Sequence, residues 1–196
     1  CVIRIARSEM GQGTRTGLAH LVAEDLECDW KKVTTEMPTP GQSVARKRAW
    51  GEMSTGGSRG IRISQDYVRR GGAAARMLLM QAASLQLGAP VNELTVSQGI
   101  ISHKASNRTI RYGQVALAAS RLPPPDLATI KLKNPKDWAI AGKAMERIDT
   151  HEKLNGSLIY GADIRMDGML CAAIKDCPVF GGKLLSFDAD AVSKMR

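Results

Sequence analysis

The stretch Arg7-Ser8-Glu9-Met10-Gly11-Gln12-Gly13-Thr14-Arg15-Thr16-Gly17 decides the fold of the first part of this chain. Residues 2–7, which lead into it, mix β-branched and basic side chains, and this composition predicts a strand. From Thr14 onward, apolar residues recur at helical spacing, namely Leu18, Leu21, Val22 and Leu26. The sequence therefore predicts a strand, a glycine turn and a helix in direct succession.

The first glycine turn, Glu9 to Gly13, has the chemistry of an anion-binding loop. Glycine lets the backbone bend so that consecutive N–H groups point to one ligand, and the start of the following helix adds a partial positive charge. Gln12 offers an amide donor and a carbonyl acceptor, which suit the polar edge of a ring or a metal-bound oxygen. An ordinary tight turn is the alternative interpretation.

The second glycine turn, Ser54-Thr55-Gly56-Gly57-Ser58-Arg59-Gly60, is the stronger candidate. Its hydroxyls, its glycine N–H groups and the charge of Arg59 form a full donor set for a phosphate or pyrophosphate, and a helix is predicted to follow. The turn matches neither the Walker A loop nor the Rossmann fingerprint. The alternative is an N-capped helix after a flexible loop.

A long helix is predicted from Ile61 to Leu87, with Gly88-Ala89-Pro90 ending it. Two glycines inside it, Gly71-Gly72, each cost about 1 kcal/mol relative to alanine. They therefore predict either a close approach to another backbone or a kink. The other predicted elements are a loop over 38–53, strands at 32–36, 94–98, 100–103 and 108–111, and a helix over 112–120.

The composition changes at Pro123-Pro124-Pro125, and the segment through Asn134-Pro135 predicts an extended linker or surface crossing. A second unit is predicted to begin near Gly142. Its candidate elements are strands at Leu158–Tyr160, Leu170–Ile174 and Leu184–Phe187 and a helix start at Asp188. Because the chain begins in a strand-like run at Cys1 and stops soon after that helix start, we expect a piece of a longer polypeptide.

The composition indicates a soluble globular protein, with 43% hydrophobic and 24% charged residues. A net charge of +9 implies attraction to phosphates or acidic partners, but aromatic residues at 4% argue against nucleic-acid binding by base stacking. The four cysteines show neither C-x-x-C spacing nor histidines at zinc-ligand spacing, so we predict no zinc site and no iron–sulfur cluster in this chain. No apolar run reaches the roughly 18 residues of a membrane span.

Several segments resemble, in their order along the chain, the large subunit of isoquinoline oxidoreductase-type enzymes in the xanthine oxidase/aldehyde oxidase family of molybdenum hydroxylases. The segments that carry the resemblance are Arg7–Gly17, Thr55–Gly60, Lys133–Trp138, Gly142–Lys143, Arg147–Thr150, Lys153–Gly156, Tyr160–Asp163 and Cys177–Lys183. The resemblance implies an α+β fold, in which part of a molybdopterin-binding domain is followed by the start of an α/β-hammerhead domain. The implied divisions are a partial cofactor-binding region over 1–125, a linker over 126–142 and the start of the hammerhead-like domain over 143–196.

The resemblance also implies a cofactor, molybdopterin cytosine dinucleotide, whose dithiolene sulfurs hold the molybdenum without a protein metal ligand. The family hydroxylates an N-heterocycle or an aldehyde with water-derived oxygen. Electrons leave through [2Fe–2S] clusters on a small partner subunit. The remainder of the large subunit is a further expected partner, and nucleic acid is not. The compartment stays open, with the bacterial periplasm favoured over the cytoplasm because many such large subunits carry a twin-arginine export signal.

By position, the first turn would contact the pterin or its phosphates, and the second would hold the phosphates, with Arg59 added on grounds of its charge. The implied cofactor-binding residues are Gly11, Gln12, Gly13, Thr55, Gly56, Gly57, Ser58 and Arg59. The family's general base is a glutamate in a Gly-Glu-Pro-type motif near the far C-terminus, so we expect no catalytic residue here and no activity of this piece alone. A basic phosphate- or nucleotide-binding module without redox chemistry is the main alternative, and an inert structural fragment is the third.

Overall fold

The structure is a computed structural model and describes residues 1–195. The chain divides into two units, Cys1–Ser157 and the part that begins at Leu158. The helices of the first unit are α1 (Thr14–Leu26), α2 (Pro40–Ala45), α3 (Arg59–Leu87), α4 (Tyr112–Ala119) and α5 (Thr150–Leu154). Its strands are β1 (Val2–Arg4), β2 (Thr34–Glu36), β3 (Leu94–Ser97), β4 (Ile100–His103) and β5 (Arg108–Arg111). The second unit contains α6 (Ala189–Ser193).

The strands form two small sheets. β1 and β2 pair in parallel, with Ile3 opposite Thr35. The other three strands form an antiparallel meander in the order β3-β4-β5, in which Ile101 lies opposite both Val96 and Ile110. The predicted mixture of helices and strands is therefore confirmed, and so are the strand–turn–helix unit and the long helix.

Two predictions about local structure were wrong. The stretch 38–53 was predicted as a loop, but it contains α2, which begins with Pro40 and carries a capping box between Thr39 and Gln42. The three strand candidates of the second unit do not form strands. Their apolar side chains are exposed, as at Leu170 and Ile174, and they have no partner strand within the part of the chain that the structure describes. The predicted helix start at Asp188 is confirmed, since its carboxylate accepts a hydrogen bond from Ala191 N.

Helices α1 and α3 pack directly on each other, and glycine makes the approach possible. A Cβ atom on Gly72 would lie 2.5 Å from the Val22 carbonyl oxygen, so only glycine fits against that backbone. Of the two alternatives predicted for the glycine pair, a close approach or a kink, the close approach is found at Gly72. Gly71 faces open space.

Two buried carboxylates near the end of α1 fix the segment 133–141. Asp25 accepts hydrogen bonds from Lys133 N at 2.8 Å and from Arg69 Nε of α3 at 2.7 Å. Glu24 Oε1 accepts a hydrogen bond from Lys133 Nζ at 2.6 Å. The same Glu24 side chain also accepts three backbone N–H groups, those of Ala139, Ile140 and Ala141. The residues predicted as a linker are thus anchored to both long helices.

The hydrophobic core is built mainly from aliphatic side chains and alanine, as the low aromatic content predicts. One cluster joins β1 to α1, with Ile5 and Leu18 fully buried. A second cluster joins the end of α3 to the three-stranded sheet and α4, around Ile101 and Val115. No helix within residues 1–195 is long and apolar enough to cross a membrane.

Substitution of the paired glycines of α3 tests the helix contact. We expect Gly72→Ala to lower the free energy of unfolding by about 1–3 kcal/mol, because its methyl group would overlap the backbone of α1. The matched control Gly71→Ala should raise it by about 0.5–1 kcal/mol, since alanine is the better helix former and nothing obstructs it. Urea unfolding of both variants measures the difference. Equal effects of the same sign would contradict the close approach.

Substitution of Glu24 tests the anchoring of 133–141. We expect Glu24→Gln to lower the free energy of unfolding by about 3 kcal/mol near neutral pH, because the Lys133 ammonium loses its buried counter-charge. Burial raises the pKa of Glu24, but hydrogen bonds from Lys133 and from the N–H groups of residues 139–141 outweigh it and lower the pKa below 4.5.

The pH dependence of this difference follows from the lowered pKa. A carboxylate whose pKa is lowered in the folded state stabilises the fold above its unfolded pKa and loses that effect as the pH falls through the folded value. The gap between wild type and Glu24→Gln should therefore be constant near neutral pH and narrow below about pH 4.5. Glu146→Gln, at an exposed carboxylate, is the control. A gap that widens on acidification would refute the anchoring role.

Candidate functional site

The two glycine turns lie side by side because the helices that follow them touch at their first residues. A Cβ atom on Gly60 would lie 2.6 Å from Thr14 Oγ1, so the second residue of α3 contacts the first residue of α1. Gly13 is the N-cap of α1 and Ser58 is the N-cap of α3, and neither makes a side-chain capping bond. Each helix start carries a partial positive charge, so the two charges meet at one place on the surface.

Arg7 ties the strand before the first turn to the second turn. Its Nη1 donates to Ser54 O at 2.7 Å, and its Nε donates to Ser64 Oγ at 2.9 Å. The adjacent Ser8 N donates to Met53 O at 3.2 Å. Arg7 is buried, so these bonds fix the spacing of the two turns from inside the protein.

The N–H groups of the first turn are already bonded to a carboxylate of the turn itself. Glu9 Oε1 accepts from Gly11 N at 2.8 Å and from Gly13 N at 2.9 Å, and Oε2 accepts from Arg15 N at 2.9 Å. In this structure, the N–H groups of Gly11 and Gly13 therefore bond within the turn and are not open donors. A contact between the turn and a cofactor remains a prediction.

The environment of Glu9 keeps it ionised. Partial burial raises the pKa of Glu9, but the N–H groups of Arg15, Gly13 and Gly11, together with the charge of Arg147, lower it below its ordinary value. An acidic residue close before a helix start is the sequence signal that could have identified this role, because a carboxylate there is stabilised by the helix dipole.

Gln12 forms hydrogen bonds within the turn through both ends of its amide. Its Oε1 accepts from Met10 N at 2.6 Å, and its Nε2 donates to Ser8 O at 3.0 Å and to Thr14 Oγ1 at 2.9 Å. The residue is nevertheless exposed. A ligand that bonded to this amide would have to exchange one of these bonds.

The second turn, by contrast, presents open donors. The hydroxyls of Thr55 and Ser58 have no hydrogen-bond partner among residues 1–195, and the turn is largely exposed. Gly57 and Ser58 both adopt left-handed backbone conformations, with φ of 65° and 59°. For Ser58 this is an uncommon conformation, of the kind that concentrates at binding sites.

The charge of Arg59 is partly offset. Its Nη1 lies 2.6 Å from Glu52 Oε2 in an exposed ion pair. The next arginine of the helix, Arg62, donates to Gly57 O at 3.2 Å and so restrains the backbone of the turn. The charge of Arg59 is evident from the sequence, but the contacts of Glu52 and Arg62 with this turn are not.

A residue far along the chain also reaches the first turn. Arg147 Nη1 donates to Gly11 O at 2.7 Å, and its Nη2 lies 3.5 Å from Glu9 Oε1. Asp149 holds the same guanidinium through two bonds of 2.9 Å, and Lys153 contacts Asp149 at 2.7 Å. The side-chain bonds from Arg147 and Lys153, acting against burial, hold the pKa of Asp149 far below its usual range.

This contact could not be predicted from the sequence, because no local pattern connects residues 136 positions apart. The segment Arg147–Thr150 was identified only by the family resemblance, which assigned it to the hammerhead-like domain over 143–196. In the structure these residues belong to the first unit, and Ile148 N also bonds to Thr16 Oγ1 at 3.2 Å.

The donor set of the second turn fits the phosphates of a nucleotide-type cofactor: two open hydroxyls and an exposed glycine pair at the start of a 29-residue helix. Within the described residues 1–195, no group of three or more His, Cys, Asp or Glu side chains is arranged to bind a metal ion.

Three curated proteins are similar to this chain. The membrane-bound aldehyde dehydrogenase (pyrroloquinoline-quinone) of Gluconacetobacter polyoxogenes is 31% identical over 99% of the chain and 25% of its own length. The beta subunit of isoquinoline 1-oxidoreductase from Brevundimonas diminuta is 30% identical over 88% of the chain and 26% of its own length. A nicotinate dehydrogenase subunit of Pseudomonas putida is 29% identical over 95% of the chain and 16% of its own length.

The chain thus spans about a quarter or less of the length of these relatives. Among solved structures, quinoline 2-oxidoreductase from Pseudomonas putida 86 aligns with 64% of this chain and 16% of its own, with 18% identity and a TM-score of 0.45.

A family model described as the molybdopterin cofactor-binding domain matches residues 1–165. That range contains both glycine turns, the helices that follow them and the arginine that reaches the first turn. The chain belongs to the family of molybdopterin cofactor-binding domains.

Proposed function

We propose that this chain is the part of a molybdenum hydroxylase large subunit that binds the phosphates of the molybdopterin cofactor at the second glycine turn. The observation that carries the proposal is the set of open hydroxyls and exposed glycines at the start of α3, next to the start of α1. Membership of the cofactor-binding family supports it. When bound, the cofactor supplies a molybdenum centre for hydroxylating an N-heterocycle or an aldehyde with oxygen from water.

In this proposal, four residues of the second turn hold the phosphates. Thr55 and Ser58 donate their hydroxyls, and Gly56 and Gly57 let the backbone come close to the phosphate oxygens. The dipole of α3 adds attraction for negative charge. Arg59 joins them only by exchanging its exposed bond to Glu52 for one to the phosphate.

The first turn contributes in a different way. Because Glu9 occupies the N–H groups of Gly11 and Gly13, these glycines offer the cofactor a surface without a side chain rather than N–H donors. Gln12 lies exposed between them and is the polar group of the turn that can exchange a bond with the pterin ring.

Finer parts of the proposal come from the family resemblance. The cofactor would be molybdopterin cytosine dinucleotide, and electrons would pass to [2Fe–2S] clusters on a small partner subunit. Two of the similar proteins are named as subunits, which supports an enzyme of several chains. The cofactor-binding region would cover residues 1–125 and the linker 126–142. The start of a hammerhead-like domain would follow at 143–196, although the contacts of the first unit continue to Ser157.

The cofactor is tested by what the intact large subunit releases. We expect denatured full-length protein to yield molybdenum together with a pterin nucleotide, measured by elemental analysis and mass spectrometry. Release of pyrroloquinoline quinone without molybdenum would sink the proposal, and one similar protein carries that compound in its name. Release of a simple nucleotide without a metal would favour a phosphate-binding module without redox chemistry.

The two turns are tested by substitution in the intact large subunit. We expect Ser58→Ala and Gln12→Ala each to lower cofactor occupancy, by about tenfold in affinity for Ser58→Ala, since a hydrogen bond to a charged group contributes about 1.5–3 kcal/mol. Thr109→Ala removes an exposed hydroxyl from β5 and is the matched control, which should leave occupancy unchanged. Full occupancy in both turn variants would mean that the turns are structural.

A further inference from the structure

Four charged side chains of alternating sign form a row that ends on the first glycine turn. Lys153 contacts Asp149 at 2.7 Å, Asp149 binds Arg147 through two bonds of 2.9 Å, and Arg147 lies 3.5 Å from Glu9. Glu9 then accepts three N–H groups at the start of α1. The row therefore links the segment 147–153 to a turn that lies far away in sequence.

The row fixes the turn from both sides. Gly11 and Gly13 have φ of 100° and 84°, in the region that glycine adopts easily. Because glycine has this freedom, the turn could adopt many other backbone conformations if no hydrogen bonds restrained it. Glu9 holds the N–H groups of both glycines, while Arg147 donates to the carbonyl of Gly11 at 2.7 Å. The N–H and the carbonyl of Gly11 are thus both restrained before any ligand arrives.

The paired bonds to Asp149 orient Arg147. Asp149 is 3% exposed and the Arg147 side chain is 35% exposed, so the carboxylate of the pair is buried and the guanidinium is partly open to solvent. A planar guanidinium that bonds to one carboxylate through two nitrogens has one orientation, and this orientation directs Nη1 to Gly11. Lysine at this position could keep the charge but not the three directed bonds.

We propose that Arg147, oriented by Asp149, is a positioning residue for cofactor binding, which holds the first glycine turn in its binding conformation through Glu9 and the carbonyl of Gly11. The inference rests on the proposed function. A turn ordered in advance loses less conformational freedom on binding, so the restraint tightens binding without a direct contact.

The test uses the full-length large subunit with Arg147→Lys and Glu9→Gln, and Arg121→Lys at an exposed arginine as the matched control. In cofactor-free protein, we expect both variants to speed hydrogen exchange at the amides of Gly11, Gly13 and Arg15. In loaded protein, we expect the cofactor to dissociate about tenfold faster, as for the loss of one charged hydrogen bond. The melting temperature of the cofactor-free protein should fall further in Arg147→Lys than in the control, because the buried Asp149 loses two bonds, whereas the increase in the rate of cofactor dissociation should be the same in both variants.

Three results would overturn the proposal. The first is faster exchange in the turn with unchanged cofactor dissociation. The second is loss of cofactor only in proportion to a fall in melting temperature, which marks a merely structural role. The third is a wild-type protein that holds no molybdopterin. This result would overturn the proposed function as well, whereas the first two would overturn only the role of Arg147.

Discussion

The pair of buried carboxylates at the end of α1 is the constraint on which the first unit depends. Glu24 and Asp25 are almost completely buried, and two ionised groups in such a place are stable only with full compensation. Arg69 of α3, Lys133 and three backbone N–H groups provide it. Because the compensating groups come from a helix and from a distant segment, the pair sets where both must lie relative to α1.

With that end of α1 fixed, glycine contacts hold the two helices together along their length. Gly72 allows contact with the backbone of α1 at Val22, near the same end, and Gly60 allows contact with Thr14 at the start of α1. The two helix starts meet as a consequence of packing. The candidate site is therefore a product of helix contact as much as of the turns themselves, since this contact brings together two turns more than 40 residues apart in the chain.

Much of the fold could be predicted because it is encoded locally. Helical spacing identified α1, and the glycine pair of α3 predicted either a close approach or a kink, of which the structure has the close approach at Gly72. The strands proposed within 158–187 were wrong because an apolar run becomes a strand only with a partner to pair with. At the site, residue types predicted the second turn as a donor set, which stays a prediction, and its contact with the first turn could not be predicted from spacing. The contact of Arg147 with the first turn could not be predicted, because only the tertiary structure brings these residues together.

The carboxylate of Glu9 gives the first turn a chemical selectivity. A glycine turn at a helix start is normally open to any small anion, and inorganic phosphate and sulfate are abundant in cells. Here the N–H groups of the turn are bonded to a carboxylate that is part of the chain and cannot diffuse away. A free anion that bound to the first turn would have to displace this carboxylate, whereas the hydroxyls of Thr55 and Ser58 in the second turn are open without any such exchange.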